Sequence, residues 1–178
     1  MSCREELDLA GVVIDSLKFA AEEDCIAGKL ALTRLTRLHD VLASREGWLD
    51  CELAGYREAG KAGAGGTKLG LHLRVRGRLG LHCQRCLTEV GFDCAIDSRL
   101  LLIPPDAEWP EEDLESDEFD AIPASRELSV MALVEDEVLL ALPLVPRHAT
   151  CQPPANTGAA EEESEPSPFA VLAGLKKH

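Results

Sequence analysis

From Lys68 to Cys83 apolar and polar side chains alternate. Leu69, Leu71, Leu73, Val75, Leu79 and Leu81 share one parity, and Lys68, His72, Arg74, Arg76, Arg78 and His82 share the other. Successive side chains of a strand point to opposite faces, so a period of two predicts a half-buried β-strand with one apolar and one basic face. Gly77 and Gly80 interrupt the pattern, and glycines inside a strand predict a bulge or a bend. The alternation resumes with Val90, Phe92, Cys94, Ile96, Leu100 and Leu102 set against Glu89, Asp93, Asp97 and Arg99. The two strands form a hairpin whose turn carries Cys83-Gln84-Arg85-Cys86. Antiparallel pairing would set acids of the second strand beside bases of the first.

Elsewhere the period changes. Leu35, Leu38 and Leu42 recur at helical spacing behind Thr33, predicting a small N-terminal helix over 33–43. Leu7–Ile14 reads as extended, 28–32 as a short strand and Trp48–Arg57 as a further alternating strand. The Gly/Ala-rich stretch 58–67 reads as a hairpin loop. Leu128, Met131, Val134 or Glu135, Val138 and Leu142 trace one face of a helix over 125–142, ended by Pro143. Pro104-Pro105 stops the sheet. The fold class expected is α+β: an antiparallel β-sheet with a long central hairpin, packed by one main helix and a smaller N-terminal helix. A single domain spans 1–151 and includes an acidic loop at 106–120. A flexible Pro/Ser/Glu linker at 152–167 and a C-terminal docking segment at 168–178 follow.

Composition narrows the function classes. The chain of 178 residues is long enough for one core, and with 46% hydrophobic but only 4% aromatic residues that core must be mostly Leu and Val. No apolar run reaches the length of a membrane span, and the opening MSCREELDLAGVV has acids where a signal peptide carries bases. Seven cysteines, an odd number without a secretion signal, lead us to expect reduced thiols in the cytoplasm. The net charge of −14 is unevenly spread. Nine acids fall in 106–120 and four in 161–165, neither stretch holding a Lys or Arg. The rest of the chain is close to neutral, so a basic patch is compatible with the total.

Three constellations bear on chemistry. Cys83-x-x-Cys86 has the spacing at which two thiolates reach one tetrahedral metal, and His148-x-x-Cys151 would complete a set of four if the fold joins the two turns. Structural zinc is the cofactor that such a set implies; inert thiols at a tight turn and a redox pair are the other readings. Arg74, Arg76, Arg78 and Arg85 could track a phosphate backbone. They lack the interleaved aromatics of single-strand binders, and a solvated face salt-bridged to Glu89, Asp93 and Asp97 is the plainer alternative. Glu135, Asp136 and Glu137 form the densest carboxylate cluster on an ordered element, but consecutive helix positions point in different directions. The histidines form no Ser/His/Asp arrangement, and the glycines at 60–66 lack the Lys and hydroxyl of a phosphate loop. No enzyme and no small-molecule substrate are expected.

HCQRCL at 82–87, LVEDEVLLALPLVPRHATC at 133–151 and SPFAVLAGLKK at 167–177 together resemble the bacterial YceD family, the large ribosomal RNA subunit accumulation proteins. The resemblance covers roughly the second half of the chain. It implies a cytosolic, non-enzymatic factor for synthesis, processing or stability of 23S rRNA. On that reading Glu135, Asp136, Glu137, Pro168, Phe169, Leu172 and Leu175 are candidate partner-docking residues. The partner expected is large-subunit rRNA, touched by the basic row, or a basic large-subunit ribosomal protein or assembly factor held by the acidic segments. No membrane partner is expected. The competing reading is a zinc-stabilised acidic adaptor that binds a basic protein without a direct role in rRNA.

Overall fold

The computed structural model describes residues 3–6, 8–59, 67–105, 107 and 119–154. In chain order the elements are β1 (Arg4–Glu6), β2 (Val13–Ile14), α1 (Ser16–Ala21), β3 (Cys25–Ala31), β4 (Trp48–Ala59), β5 (Thr67–His82), β6 (Glu89–Ile103), β7 (Asp120–Pro123), β8 (Leu128–Ser129) and α2 (Val130–Ala141). Six strands form one sheet in the order β1-β3-β4-β5-β6-β7, and β2 pairs with β8 in a separate ribbon. The class is α+β, as the alternation implied. The expectation of a wholly antiparallel sheet needs correction: β3 to β6 are antiparallel, but β1 on β3 and β7 on β6 are parallel. Each parallel partner is separated from its neighbour by a long stretch of chain, which is what a parallel pairing requires.

The central hairpin behaves as predicted, with β5 and β6 paired from Gly70↔Leu101 to His82↔Glu89. The predicted bulge is absent, because the register passes Gly77 and Gly80 without a slip. Both glycines instead leave room for a neighbour to lie across the strand. A Cβ at Gly77 would sit 2.6 Å from Leu49, and one at Gly80 2.5 Å from Glu89. On one face Leu71, Leu73, Val75, Leu79 and Leu81 of β5 join Leu49, Leu53, Cys94, Ile96 and Leu100 in the core. The other face carries the charged side chains.

Helices cover the apolar face. α1 follows the stretch 7–14 expected to be extended, whose end Val13–Ile14 forms β2, and Asp15 Oδ1 accepts from the Lys18 N–H at the helix start. It presses so closely on β4 that a Cβ at Gly55 would lie 2.5 Å from the Phe19 carbonyl oxygen. The small helix expected over 33–43 is instead two 3-10 turns, Leu32–Arg34 and Thr36–Leu38. Leu32, Leu35 and Leu38 are all fully buried. Their spacing of three is the 3-10 repeat, which stacks residues i and i+3 on one side. α2 begins at Val130, later than the expected 125, because Leu128–Ser129 pairs with Val13–Ile14 and Ser129 Oγ caps the Ala132 N–H. It buries Val130, Leu133, Val134 and Val138.

Cys3 and Cys25 form a disulfide, which corrects the expectation of reduced thiols throughout. Parallel pairing of Arg4 with Ile26 brings the preceding cysteines side by side. Among the described residues no helix is long and apolar enough to cross a membrane. The Gly/Ala loop, the acidic loop, the linker and the docking segment lie almost entirely outside the described residues.

Candidate metal centre

The parity of β5 delivers Cys83 to the core side, where it is fully buried. The chain then folds into a tight knuckle. Leu87 N–H donates to the Cys83 carbonyl at 2.9 Å, and Cys83 N–H donates to that of Thr88 at 2.9 Å. Leu87 closes the turn with φ +62, a left-handed conformation that L side chains rarely adopt. β6 starts immediately afterwards at Glu89.

The stretch after α2 lies against this knuckle. Gln84 N–H donates to the Pro146 carbonyl at 2.9 Å, Gln84 Nε2 to that of Leu144 at 3.4 Å, and the Arg85 guanidinium to that of Cys151 at 3.2 Å. Cys83 Sγ lies 3.8 Å from Cys151 Sγ, and Cys86 Sγ lies 3.4 Å from His148 Nδ1. The four ligand atoms all fall within 4.8 Å of one another. His148 Nε2 is 3.0 Å from the Glu89 carbonyl oxygen. A carbonyl only accepts, so Nε2 carries a proton, and in the neutral ring Nδ1 turns its lone pair towards the sulfurs. The four residues singled out in two separate motifs therefore form one cluster that could hold a metal.

The electrostatics favour thiolate at the knuckle. Burial opposes ionisation of Cys83, but N–H groups of Cys86, Arg85 and His148 directed at its sulfur outweigh that cost and lower its pKa to about 5. The Thr88 hydroxyl, 3.1 Å from Cys86 Sγ, is the main cause of a lowered pKa there. Hydrogen bonds to Cys83 and Cys86 raise that of His148. Burial, followed by the neighbouring thiols, raises that of Cys151. Thr88 was missed in the sequence; two positions beyond a Cys-x-x-Cys, it was readable only as a turn residue.

The basic row lies on the charged face as the alternation required, but much of its charge is matched across strands. Arg74 meets Glu52 at 2.8 Å and Asp97 at 3.5 Å, and Arg78 meets Asp93 at 3.5 Å. His72 Nε2 lies 2.5 Å from Asp97 and, with Arg74, holds that carboxyl below its usual range. Glu52 reaches the row from β4, directly opposite Arg74 across the β4–β5 hairpin, a partner the sequence analysis did not name. Arg85 sits apart, on the knuckle.

The Glu135–Glu137 cluster faces mostly inward. Glu135 and Glu137 are buried; Glu135 Oε1 accepts from the Arg37 N–H at 3.0 Å, and Glu137 Oε2 from Ser98 Oγ at 2.5 Å. Asp136 pairs with the Arg37 guanidinium. Pro168, Phe169, Leu172 and Leu175 lie outside the described residues.

Residues 71–176 match the profile of the family described as "Large ribosomal RNA subunit accumulation protein YceD". A protein of that description from Haemophilus influenzae is 35% identical over 106 residues, which cover 54% of this chain and 59% of the relative. The match thus spans less than two thirds of the relative's length. No solved structure matches the chain.

Proposed function

The chain belongs to the YceD family, and on that premise we propose that it is a non-enzymatic cytoplasmic factor required for large-subunit rRNA to accumulate. It acts by binding a basic large-subunit ribosomal protein or assembly factor through its acidic segments, and its effect on 23S rRNA follows from that contact. Asp136 and the apolar positions Pro168, Phe169, Leu172 and Leu175 add to the docking surface.

The observation that supports this route over direct RNA contact is the state of the basic row. Arg74 and Arg78 already face Glu52, Asp97 and Asp93, and releasing them to phosphate would cost those pairs. The thirteen acids of 106–120 and 161–165 have no basic residue within their stretches, which suits a cationic partner. The name of the Haemophilus influenzae relative, a large ribosomal RNA subunit accumulation protein, favours this reading over an adaptor with no part in rRNA metabolism.

Crosslinking in growing cells, with RNA and protein recovered from one purification, tests the route. Protein crosslinks clustered on 106–120 and 161–177 are expected, and removing both acidic segments should abolish binding and its salt dependence. Crosslinks from Arg74, Arg76 or Arg78 to 23S rRNA would replace the protein route with direct contact. Normal rRNA levels in cells lacking the chain would overturn the rRNA reading itself.

A further inference from the structure

We infer that Cys83, Cys86, His148 and Cys151 bind one zinc ion, through three thiolate sulfurs and Nδ1 of His148, and that this ion fastens residues 142–151 to the sheet. Two sulfurs on a tetrahedral zinc lie about 3.8 Å apart, and a sulfur and a nitrogen about 3.5 Å, given bonds of about 2.3 and 2.0 Å. The separations here are 3.8 Å for Cys83–Cys151 and 3.4 Å for Cys86–His148. Cys83, Cys86 and Cys151 are free thiols, with no disulfide bond, which needs sulfurs about 2 Å apart, joining them.

The hydrogen bonds that hold the ligands in place point the same way. Zinc-binding imidazoles usually give their other N–H to a carbonyl or carboxylate, which fixes tautomer and ring orientation. His148 Nε2 does this with the Glu89 carbonyl, at the first residue of β6. The Arg85 guanidinium on the Cys151 carbonyl holds the fourth ligand's backbone against the knuckle. Three sulfurs and one imidazole select zinc among the common divalent ions, and four protein ligands leave no open position for a reacting water.

The need for such a tie is visible in the stretch that it holds. After α2 ends at Ala141 the chain has no regular secondary structure through Cys151. Leu142 packs partly against the core, but beyond it the largest apolar side chains are exposed, Leu144 at 95% and Val145 at 48%. Hydrophobic burial therefore does little to keep it in place, and a few hydrogen bonds to Gln84 and Arg85 remain. A metal bridging Cys83 and Cys86 to His148 and Cys151 joins positions more than sixty residues apart and removes that weakness.

The test uses the full chain purified under reducing conditions. Elemental analysis should find one zinc per chain, and cobalt exchanged for it should show the visible bands of a tetrahedral thiolate site. Removing the metal with a chelator should raise amide exchange over 84–88 and 143–151 while β4, β5 and β6 stay protected. Cys151→Ser, half-buried and outside the core, should lose the cobalt bands, whereas Cys3→Ser should keep them. A folded chain that holds no zinc and takes up no cobalt overturns the inference. So does loss of metal in Cys3→Ser but not in Cys151→Ser, which would move the site to the Cys3, Cys25 and Glu52 group.

Discussion

Leu87 carries its side chain in the left-handed region at 66% exposure, so it bears a backbone cost with little packing in return. That cost is about 1 kcal/mol, and glycine escapes it while losing somewhat more chain entropy on folding. Leu87→Gly should therefore raise stability by about 0.5 kcal/mol, read as a higher urea midpoint at constant slope. A lower midpoint would mean that the Leu87 side chain contributes packing. The core cysteines make a second residue-level case. Burial, then Asp50 and Cys94, raises the Cys51 thiol to about 12, and burial raises that of Cys94. Both should resist alkylation of the folded chain at pH 8 and react in urea, as mass spectrometry would show. Labelling of Cys51 in the folded state would require its core to open.

Between elements, α2 is joined to the 3-10 turns by two carboxylates of unequal standing. Glu135 is buried and satisfies the Arg37 N–H, whereas Asp136 pairs with the Arg37 side chain where both are about half exposed. Removing a buried acceptor leaves its donor unpaired, costing about 1–3 kcal/mol. An exposed ion pair contributes at most about 1 kcal/mol. Glu135→Ala should thus destabilise the fold clearly more than Asp136→Ala, and equal losses in urea unfolding would refute that division. Gly55 sets the approach of α1 to β4, since a Cβ there would overlap the Phe19 and Ala20 backbone. Gly55→Ala should cost about 1–3 kcal/mol, because the obstacle is main chain and not a movable side chain. A neutral result would show that α1 can shift outward.

Across the whole molecule, charge is arranged so that the sheet's solvent face cancels much of its own positive potential. Glu52 from β4 and Asp97 from β6 flank Arg74 on both sides. Neutralising both, as Glu52→Gln with Asp97→Asn, should free that guanidinium and strengthen nonspecific RNA binding. The salt dependence of binding should steepen by about one phosphate contact in the log–log slope, measurable by fluorescence titration at several salt concentrations. No change in the slope would mean that the pairs do not screen the row. The Cys3–Cys25 disulfide adds a covalent link at the opposite sheet edge, where β1 would otherwise rest on a three-residue pairing.

Period-two alternation was sufficient to place β5 and β6, assign their buried faces and locate the knuckle, because strand geometry fixes side-chain direction residue by residue. The Cys-x-x-Cys and His-x-x-Cys spacings were legible for the same local reason. Whether those two turns meet depended on the sheet and on where α2 releases the chain, distances no local pattern carries. Parallel edge strands, the pairing of Cys3 with Cys25 and the place of Glu52 beside Arg74 were likewise decided by tertiary structure. Each depends on which distant segment lies alongside, and that is set by burial of the whole apolar face at once. The stretch 33–43 shows the limit within a single element: leucines three apart satisfy two helical geometries, and only packing against the core selected the tighter one.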